Sequence, residues 1–258
     1  MNDCVLLQGD CLSIMKQLPD NKIDLTVTSP PYFNAREYSQ FESYESYLSF
    51  LDNVFREVMR KTKAGRMVVV NLSVVIEPRQ SRNKESRRYP IPFHFVNLME
   101  SMGWKFIEDI IWVKPEGAVP NRNGGFFRHR KPIAYKPNTV NEYVLVFQKP
   151  CDFLIDKLVK NCSADSLVTG DYERTNIWYI QPETRLNKVH SAPYPIELAD
   201  KLIRYYSLCA DVIFDPFLGS GTTGVAALQS GRKFLGIELD PDYFQFAKDR
   251  INGSRNSK

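Results

Sequence analysis

The amino-acid sequence predicts a doubly wound α/β fold, with a mostly parallel sheet and a small, less regular appendage. Short apolar runs typical of strands alternate with helical patterns in the N-terminal part, and they alternate again towards the C-terminal end. Such alternation is typical of a parallel sheet that helices cover on both faces. A length of 258 residues, with 43% hydrophobic and 25% charged residues, fits one globular domain. We therefore expect a single domain over residues 1–258.

The first elements follow from local patterns in chain order. An apolar run predicts a strand at 5–7, and a short helix is expected at 11–18, before a Pro-Asp-Asn turn. Residues 23–28 are rich in β-branched side chains and predict a strand. Pro30 and Pro31 end it, because neither can donate a ladder hydrogen bond. Apolar residues at helical spacing predict a long helix at 44–62, which we expect Gly65 to end before a strand at 66–70.

The later elements are predicted by the same criteria. A basic loop at 77–89 precedes a helix at 93–102, and strands are expected at 106–113 and 142–148. Residues 115–141 and 150–189 have little periodicity and are rich in Pro, Asn, Gly and basic residues, so we expect loops and short elements there. The chain then returns to a regular alternation. It consists of a helix at 195–207, a strand at 212–214, a helix at 222–230, a strand at 233–237 and a helix at 243–251.

Composition excludes several classes of protein. No apolar run reaches the roughly 20 residues that a membrane helix needs. The first residues have no basic stretch followed by an apolar core, so we expect no secretory signal and a cytoplasmic location. The five cysteines are scattered without metal-binding spacing, and the three histidines lie far apart. We therefore expect neither a disulfide framework nor a metal site.

Positive charge is concentrated in two polar stretches, while the net charge is only +4. Such clusters would serve contacts with phosphate groups, although solvated loops have the same composition. The candidate phosphate-binding residues are Arg79, Arg82, Arg87, Arg88, Arg122, Arg128, Arg130 and Lys131.

A glycine loop between a strand and a helix is a candidate nucleotide site. It runs from Asp215 to Thr223, and Gly219 and Gly221 allow a tight turn and a close approach of a ligand to the backbone. Thr222 or Thr223 can cap the helix that follows. A phosphate-binding P-loop would need a lysine after the second glycine, and none is present. The loop alone therefore leaves a nucleotide-type ligand and a structural turn open.

An acidic residue after the next strand favours the ligand. Glu238 lies about 20 residues beyond the glycines, where a carboxylate can bind both hydroxyls of a ribose. These features fit a ligand that has a free ribose and no phosphate group for the loop to bind, such as S-adenosylmethionine.

The segment Ser29-Pro30-Pro31-Tyr32 follows a strand at the edge where open α/β sheets bind ligands. Its prolines fix the backbone, so the Ser29 hydroxyl and the Pro30 carbonyl can both accept hydrogen bonds from one amino group. Tyr32 offers an aromatic face to a planar base. Two acceptors would make the nitrogen of an exocyclic amine more tetrahedral, which frees its lone pair to attack a methyl donor.

Together, the motifs Thr28-Ser29-Pro30-Pro31-Tyr32 and Asp215-Pro216-Phe217-Leu218-Gly219-Ser220-Gly221-Thr222-Thr223 resemble those of the amino-DNA methyltransferases. This family makes N4-methylcytosine and N6-methyladenine, typically in restriction–modification systems. The catalytic motif precedes the cofactor motif, as in the β group, and the resemblance covers nearly the whole chain.

The resemblance implies a role for each matched residue. The catalytic, base-holding residues would be Ser29, Pro30, Pro31 and Tyr32. The residues around S-adenosylmethionine would be Asp10, Ser191, Asp215, Phe217, Gly219, Gly221, Thr222 and Glu238. Asp215 would lie near the amino group of its methionine part, and residues of about 150–189, with the loop 115–140, would form the target-recognition region. Duplex DNA is the implied partner. A homodimer and a cognate restriction endonuclease are partners that the family allows and the sequence does not decide.

The identity of the target base depends on one position. In the family, Ser is usual at position 29 in cytosine-N4 enzymes and Asp in adenine-N6 enzymes, so Ser29 favours cytosine. N6-adenine methylation is the alternative, and a catalytically silent, nucleic-acid-binding protein is the alternative of another class. Methylation of RNA or of a protein amide is less favoured. The amide-modifying relatives typically have Asn-Pro-Pro-Tyr, with the cofactor loop first in the chain. Cytosine-C5 chemistry would need a nucleophilic cysteine, and all five cysteines lie outside residues 29–32.

Overall fold

A computed structural model describes residues 3–34, 40–77, 81, 83, 86–119, 132–133, 137–160, 162–169, 172–183 and 194–255. The strands are β1 (Cys4–Gln8), β2 (Ile23–Thr28), β3 (Thr62–Leu72), β4 (Val75–Glu77), β5 (Arg87–Tyr89), β6 (Lys105–Val113), β7 (Asn141–Gln148), β8 (Ile177–Tyr179), β9 (Val212–Asp215) and β10 (Lys233–Glu238). The helices are α1 (Cys11–Gln17), α2 (Tyr44–Lys61), α3 (Ile91–Ser101), α4 (Asp156–Val159), α5 (Ile196–Tyr206), α6 (Thr222–Gln229) and α7 (Pro241–Arg255). In this part of the chain, no helix has both the length and the apolarity needed to span a membrane.

The central sheet has the strand order β1-β10-β9-β2-β3-β7-β6-β8. The first five strands in this order are mutually parallel, while β7 is antiparallel to both of its neighbours. From β2 the chain passes through α2 to β3, and from β9 it passes through α6 to β10 on the other side. The direction of winding therefore reverses between the adjacent strands β2 and β9. Open α/β sheets bind ligands at the carboxyl ends of such strands.

Helices cover both faces of the sheet, which confirms the predicted doubly wound α/β class. One apolar core lies under α1, α2 and α3 and includes Met15, Tyr47 and Phe95. The other lies under α5, α6 and α7 and includes Leu198 and Ala226. Successive side chains of each strand point into opposite cores, so both faces of the sheet are buried under helices.

The predicted stop of the long helix at Gly65 is wrong. Helix α2 ends at Lys61, and β3 begins at the next residue and continues through Gly65. The buried Lys61 ammonium donates to Leu18 O at 2.6 Å and to Asp20 Oδ1 at 2.7 Å, while the Thr62 hydroxyl donates to Val58 O. Gly65 has φ +75° inside the strand. The helix therefore ends before the glycine, at the residue whose ammonium contacts the distant α1–β2 turn.

Two short pairings occur where only loops were expected. Strand β4 pairs antiparallel with β5, which closes the basic segment between them into a hairpin. Strand β8 adds to the main sheet beside β6, and Trp178 at its centre is buried. The Trp112 indole donates to Ile180 O at 2.8 Å and fixes the end of β8 to β6. Because each strand has three residues, neither is long enough to show a periodicity of two.

Candidate active site

The two sequence motifs meet at the carboxyl ends of β2 and β9. The Thr28 hydroxyl donates to Asp215 Oδ1 at 2.7 Å across 187 positions of sequence. Both side chains are 1% exposed. This buried hydrogen bond joins the Ser-Pro-Pro-Tyr turn to the glycine loop at the point where the sheet changes its direction of winding.

Asp215 organises the glycine loop from below. Its Oδ1 also accepts from the Phe217 N–H at 3.0 Å, and its Oδ2 accepts from the Thr223 hydroxyl at 2.7 Å. Burial raises the pKa of Asp215 to about 6, although the hydrogen bonds from Thr28, Thr223 and Phe217 oppose the shift. The carboxyl is therefore largely ionised at pH 7.5 and about half-protonated near pH 6.

The predicted threonine cap of the next helix is wrong. Helix α6 begins at Thr222, and its cap residue is Gly221, which has φ +78° and no side-chain cap hydrogen bond. Gly219 also has a positive φ of +51°. The left-handed turn favours glycine at both positions, and the Thr222 hydroxyl accepts instead from Arg250 Nη1 at 3.0 Å.

Glu238, at the end of β10, binds the same loop. Its Oε2 accepts from the Gly219 N–H at 2.7 Å, and its Oε1 accepts from the Asp240 N–H at 2.9 Å. The side chain is half-buried, and burial raises its pKa. Two negative residues thus frame the loop, and its Gly219 N–H is bound to a carboxylate. A phosphate group would be repelled here, whereas a neutral ribose would not.

Asp10 and Phe217 lie at the same edge. Asp10 follows β1 and caps α1, where its Oδ2 accepts from the Ser13 N–H at 2.8 Å, and it is exposed. The Gly9 N–H donates to Glu238 O at 2.8 Å, which brings this turn next to the acidic residue of β10. Phe217 is half-buried, and its ring centroid lies 6.0 Å from that of Phe50.

Three polar residues that the sequence did not single out surround the hydroxyl of Tyr32. That hydroxyl donates to Glu142 Oε2 at 2.9 Å. Asn71 Nδ2 donates to the same oxygen at 2.5 Å and to the Tyr32 hydroxyl at 3.3 Å. The Lys114 ammonium pairs with Glu142 Oε1 and lies 4.6 Å from the Trp112 ring centroid. We call Asn71, Lys114 and Glu142 the Glu142 cluster.

Burial and the Glu142 charge raise the pKa of the Tyr32 phenol well above its usual value, and a hydrogen bond with Ser29 opposes this. Ser29 and Pro31 are half-buried and Pro30 is buried, so the turn is partly enclosed. Glu142 is the second residue of β7, and this antiparallel strand brings its amino end to the carboxyl edge of the parallel strands. In the sequence, Glu142 is visible only as a charged residue at the start of an apolar run. The antiparallel direction of β7 is what places it beside Tyr32.

Two of the predicted DNA-binding residues can be located. Arg87 and Arg88 are exposed on β5. The Arg87 guanidinium lies 4.7 Å from the Tyr89 ring centroid, and Arg88 Nη2 donates to Pro137 O at 3.3 Å. The candidates that lie outside the described residues are Arg79, Arg82, Arg122, Arg128, Arg130, Lys131 and the proposed cofactor residue Ser191.

A family model described as a DNA methylase matches residues 23–249. The type II methyltransferase M.ScaI of Streptomyces caespitosus is 30% identical over 99% of this chain and 84% of its own length. The type II β methyltransferase M.BslI of Bacillus sp. (strain NEB-606) is 29% identical over 95% of this chain. The match covers 27% of M.BslI, so the chain spans about a quarter of that relative.

Solved structures show the same fold. TTHA0409 of Thermus thermophilus, in complex with S-adenosyl-L-methionine, has a TM-score of 0.76 at 30% identity, over 97% of this chain and 93% of that one. The cytosine-N4-specific PvuII DNA methyltransferase has a TM-score of 0.69 at 19% identity, over 98% and 91% of the two chains. At that identity the second similarity concerns the fold alone.

Proposed function

We propose that this chain, which belongs to the N6/N4 DNA methylase family, transfers a methyl group from S-adenosyl-L-methionine to the N4 amino group of cytosine in duplex DNA. Membership makes it an amino-DNA methyltransferase of the restriction–modification type, dependent on S-adenosylmethionine. The choice of cytosine, the roles of single residues and the partners other than DNA are our proposal.

One observation carries the proposal. The Thr28–Asp215 hydrogen bond holds the Ser-Pro-Pro-Tyr turn against the glycine loop. A base held by the first motif and a methyl donor held by the second would therefore be neighbours. Methyl transfer between two bound molecules requires such proximity, because binding them side by side removes the entropy cost of bringing them together from the reaction step.

The loop fits S-adenosylmethionine in its chemistry. Each carboxylate oxygen can accept more than one hydrogen bond, so Glu238 can still bind ribose hydroxyls while it holds the Gly219 and Asp240 N–H groups. Asp215, ionised at neutral pH, supplies negative charge for the cationic methionine end of the cofactor. The residues that would hold the cofactor are Asp10, Ser191, Asp215, Phe217, Gly219, Gly221, Thr222 and Glu238. When bound, the cofactor supplies an electrophilic methyl group on a sulfonium.

The chain's own residues would prepare the nucleophile. The target base leaves the helix stack at a cost of a few kcal/mol, which contacts in the pocket offset. The Ser29 hydroxyl and the Pro30 carbonyl accept the two amine hydrogens, and the Tyr32 ring stacks on the base. No strong base is needed beforehand, because the nitrogen can release its proton after it has become cationic.

Ser29 supports cytosine as the target. A serine at this position of the motif is usual for cytosine-N4 enzymes of the family, while adenine-N6 enzymes usually have aspartate. The half-buried Ser29 also contacts Tyr32 through a hydrogen bond, so the acceptor and the stacking ring belong to one unit.

The remaining parts of the proposal concern DNA. Arg87 and Arg88, together with Arg79, Arg82, Arg122, Arg128, Arg130 and Lys131, would contact phosphates. Residues of about 150–189, with the loop 115–140, would recognise the sequence within the single domain. We include a homodimer, which the family allows. We also include a cognate endonuclease and a cytoplasmic location, because a restriction–modification methyltransferase protects sites on the cell's own DNA.

The test uses unmethylated plasmid DNA and S-adenosylmethionine, followed by digestion to nucleosides and mass spectrometry. N4-methylcytosine is the expected product. N6-methyladenine would overturn the target base and leave the family role intact. A protein that binds the cofactor and DNA but forms neither product would support the silent nucleic-acid-binding alternative.

A further inference from the structure

Both oxygens of the Glu142 carboxylate are bound within this group of side chains. Its Oε2 accepts from both the Tyr32 hydroxyl and Asn71 Nδ2, and its Oε1 pairs with the Lys114 ammonium. The side chains of Lys114 and Glu142 are 18% and 13% exposed. Side chains from three strand ends or turns therefore converge on the carboxylate of a fourth, whose position leaves little freedom to the hydroxyl that it holds.

Stability does not account for this cluster. A largely desolvated ion pair contributes little to folding, and apolar residues of similar volume often do as well or better. Asn71 is 5% exposed, and its Oδ1 accepts no hydrogen bond in the described part of the chain. A buried acceptor without a donor is unfavourable and calls for an explanation in function. The cluster lies beside Tyr32, in the motif to which we assign base binding.

We propose that Glu142 is a positioning residue that fixes the Tyr32 ring for the target base, an inference that rests on the proposed function. The ring is attached to the rigid Ser-Pro-Pro-Tyr turn at one end, and Glu142 holds its hydroxyl at the other. Both ends of the ring are then fixed before the base arrives. Lys114 balances the Glu142 charge, so that no uncompensated carboxylate faces the polyanionic substrate.

Positioning has a measurable consequence. A displacement of about 1 Å can reduce a rate about 100-fold, so a loosened Tyr32 should lower kcat while the binding of S-adenosylmethionine is retained. Glu142→Gln preserves the shape and one acceptor but removes the charge and the pairing with Lys114. Tyr32→Phe preserves the ring and removes the hydroxyl. Both substitutions act on the same contact from opposite sides.

The kinetic test is a double-mutant cycle on methyl transfer to unmethylated plasmid DNA, with tritiated S-adenosylmethionine. We expect each single variant to lower kcat about 10- to 100-fold, with the KM for the cofactor within about threefold of wild type. We expect the double variant to be no worse than the poorer single variant, because the contact can be lost only once. Glu108→Gln, an exposed glutamate on β6, is the matched control and should leave kcat unchanged. Losses that multiply in the double variant would overturn the proposal.

A second readout needs no turnover. The Tyr32 ¹³Cζ resonance, identified by its loss in Tyr32→Phe, should move in Glu142→Gln and stay in Glu108→Gln. An unmoved resonance would show that Glu142 does not hold the hydroxyl in solution. A wild-type protein that methylates no DNA would contradict the proposed function itself. An active wild type with an equally active Glu142→Gln would contradict only the positioning role.

Discussion

Two acidic side chains at adjacent strand ends define the electrostatics of the site. Asp215 and Glu238 both have raised pKa values, mainly because burial disfavours their charged forms. The charge of Glu238 adds to the shift at Asp215. Backbone and hydroxyl donors offset part of this cost and keep the carboxylates in place. The site is therefore prepared for a cationic or hydroxyl-bearing ligand at some expense of stability.

Asp215 gives a prediction about stability and pH. Its folded pKa of about 6 lies above its unfolded value of 3.8, so the folded state binds more protons between these values. The free energy of unfolding should consequently fall as the pH rises from about 4 to 6, by up to about 3 kcal/mol from this group. Asp215→Asn cannot titrate, and wild type should gain stability relative to it by this amount on acidification. Urea denaturation of both proteins between pH 4 and 7.5 measures the difference, and parallel curves would contradict the raised pKa.

Ser29 gives a prediction about chemistry. Ser29→Ala removes one of the two proposed acceptors of the amine, and a hydrogen bond to a group that becomes charged contributes about 1.5–3 kcal/mol. We expect kcat to fall about 10- to 100-fold, while the affinity for S-adenosylmethionine, measured by calorimetry, stays within about threefold. Ser101→Ala, at the exposed end of α3, is the control. Undiminished turnover of Ser29→Ala would remove Ser29 from the catalytic residues.

Among the elements, α6 packs closely against α7 and β10. A Cβ at Gly224 would be 2.6 Å from Ile251 Cδ1 and 2.7 Å from Phe234 Cε1, so this glycine allows α6 to approach β10 and α7. In sequence, Gly224 has the position of a third glycine in a dinucleotide loop. In the structure it serves the close helix–strand packing that such a third glycine provides, and it lies in the first turn of α6, directly after the glycine loop.

A pair of substitutions tests this packing. Gly224→Ala should lower the free energy of unfolding by about 1–3 kcal/mol, because the rigid Phe234 ring must move. Gly253→Ala in α7 introduces a Cβ with no atom within 4 Å, and it should raise stability by about 0.5–1 kcal/mol through helix propensity. Denaturant unfolding measures both. A stabilising Gly224→Ala would show that the close approach is easily relieved.

At the scale of the whole molecule, charge is distributed unevenly. Helix arginines such as Arg56 and Arg204 are paired with aspartates four positions earlier. Arg87 and Arg88 are exposed on the β4–β5 hairpin, and their hydrogen-bonded and ring contacts leave both guanidinium groups at the surface. The hairpin follows β3, the strand that contributes Asn71 to the Glu142 cluster. A basic surface on this side would hold duplex DNA near Tyr32.

Salt dependence tests the basic surface. Each phosphate contact contributes about 0.9 to the slope of log K against log salt concentration. Replacing Arg87 and Arg88 by alanine should reduce that slope by up to about 1.8 in fluorescence-anisotropy titrations with plasmid-derived duplexes. The Arg56→Ala, Arg204→Ala control removes the same charge from paired sites and should leave the slope nearly unchanged. Equal slopes for all three proteins would exclude Arg87 and Arg88 from the DNA contacts.

Much of the fold was predictable, because its signals are local. The β-branched run of β2, the helical spacing in α2 and the turn residues of both motifs each depend on a few neighbouring positions. The spacing of Glu238 after the glycines also indicated a common ligand, and the structure brings Glu238 into contact with Gly219. The sequence by itself thus determined the α/β class, most strands and helices, and the two motifs.

The tertiary structure decided what depends on long-range pairing. The strand order and the short strand β8 follow from the pairing of distant segments, and Lys61 at the end of α2 contacts Leu18 and Asp20. The same holds for Glu142, which reaches Tyr32 because β7 is antiparallel to its neighbours. Local periodicity shows that a segment is a strand, but it contains no information about the neighbours or direction of that strand. Those are fixed when the apolar faces of all the elements are buried together.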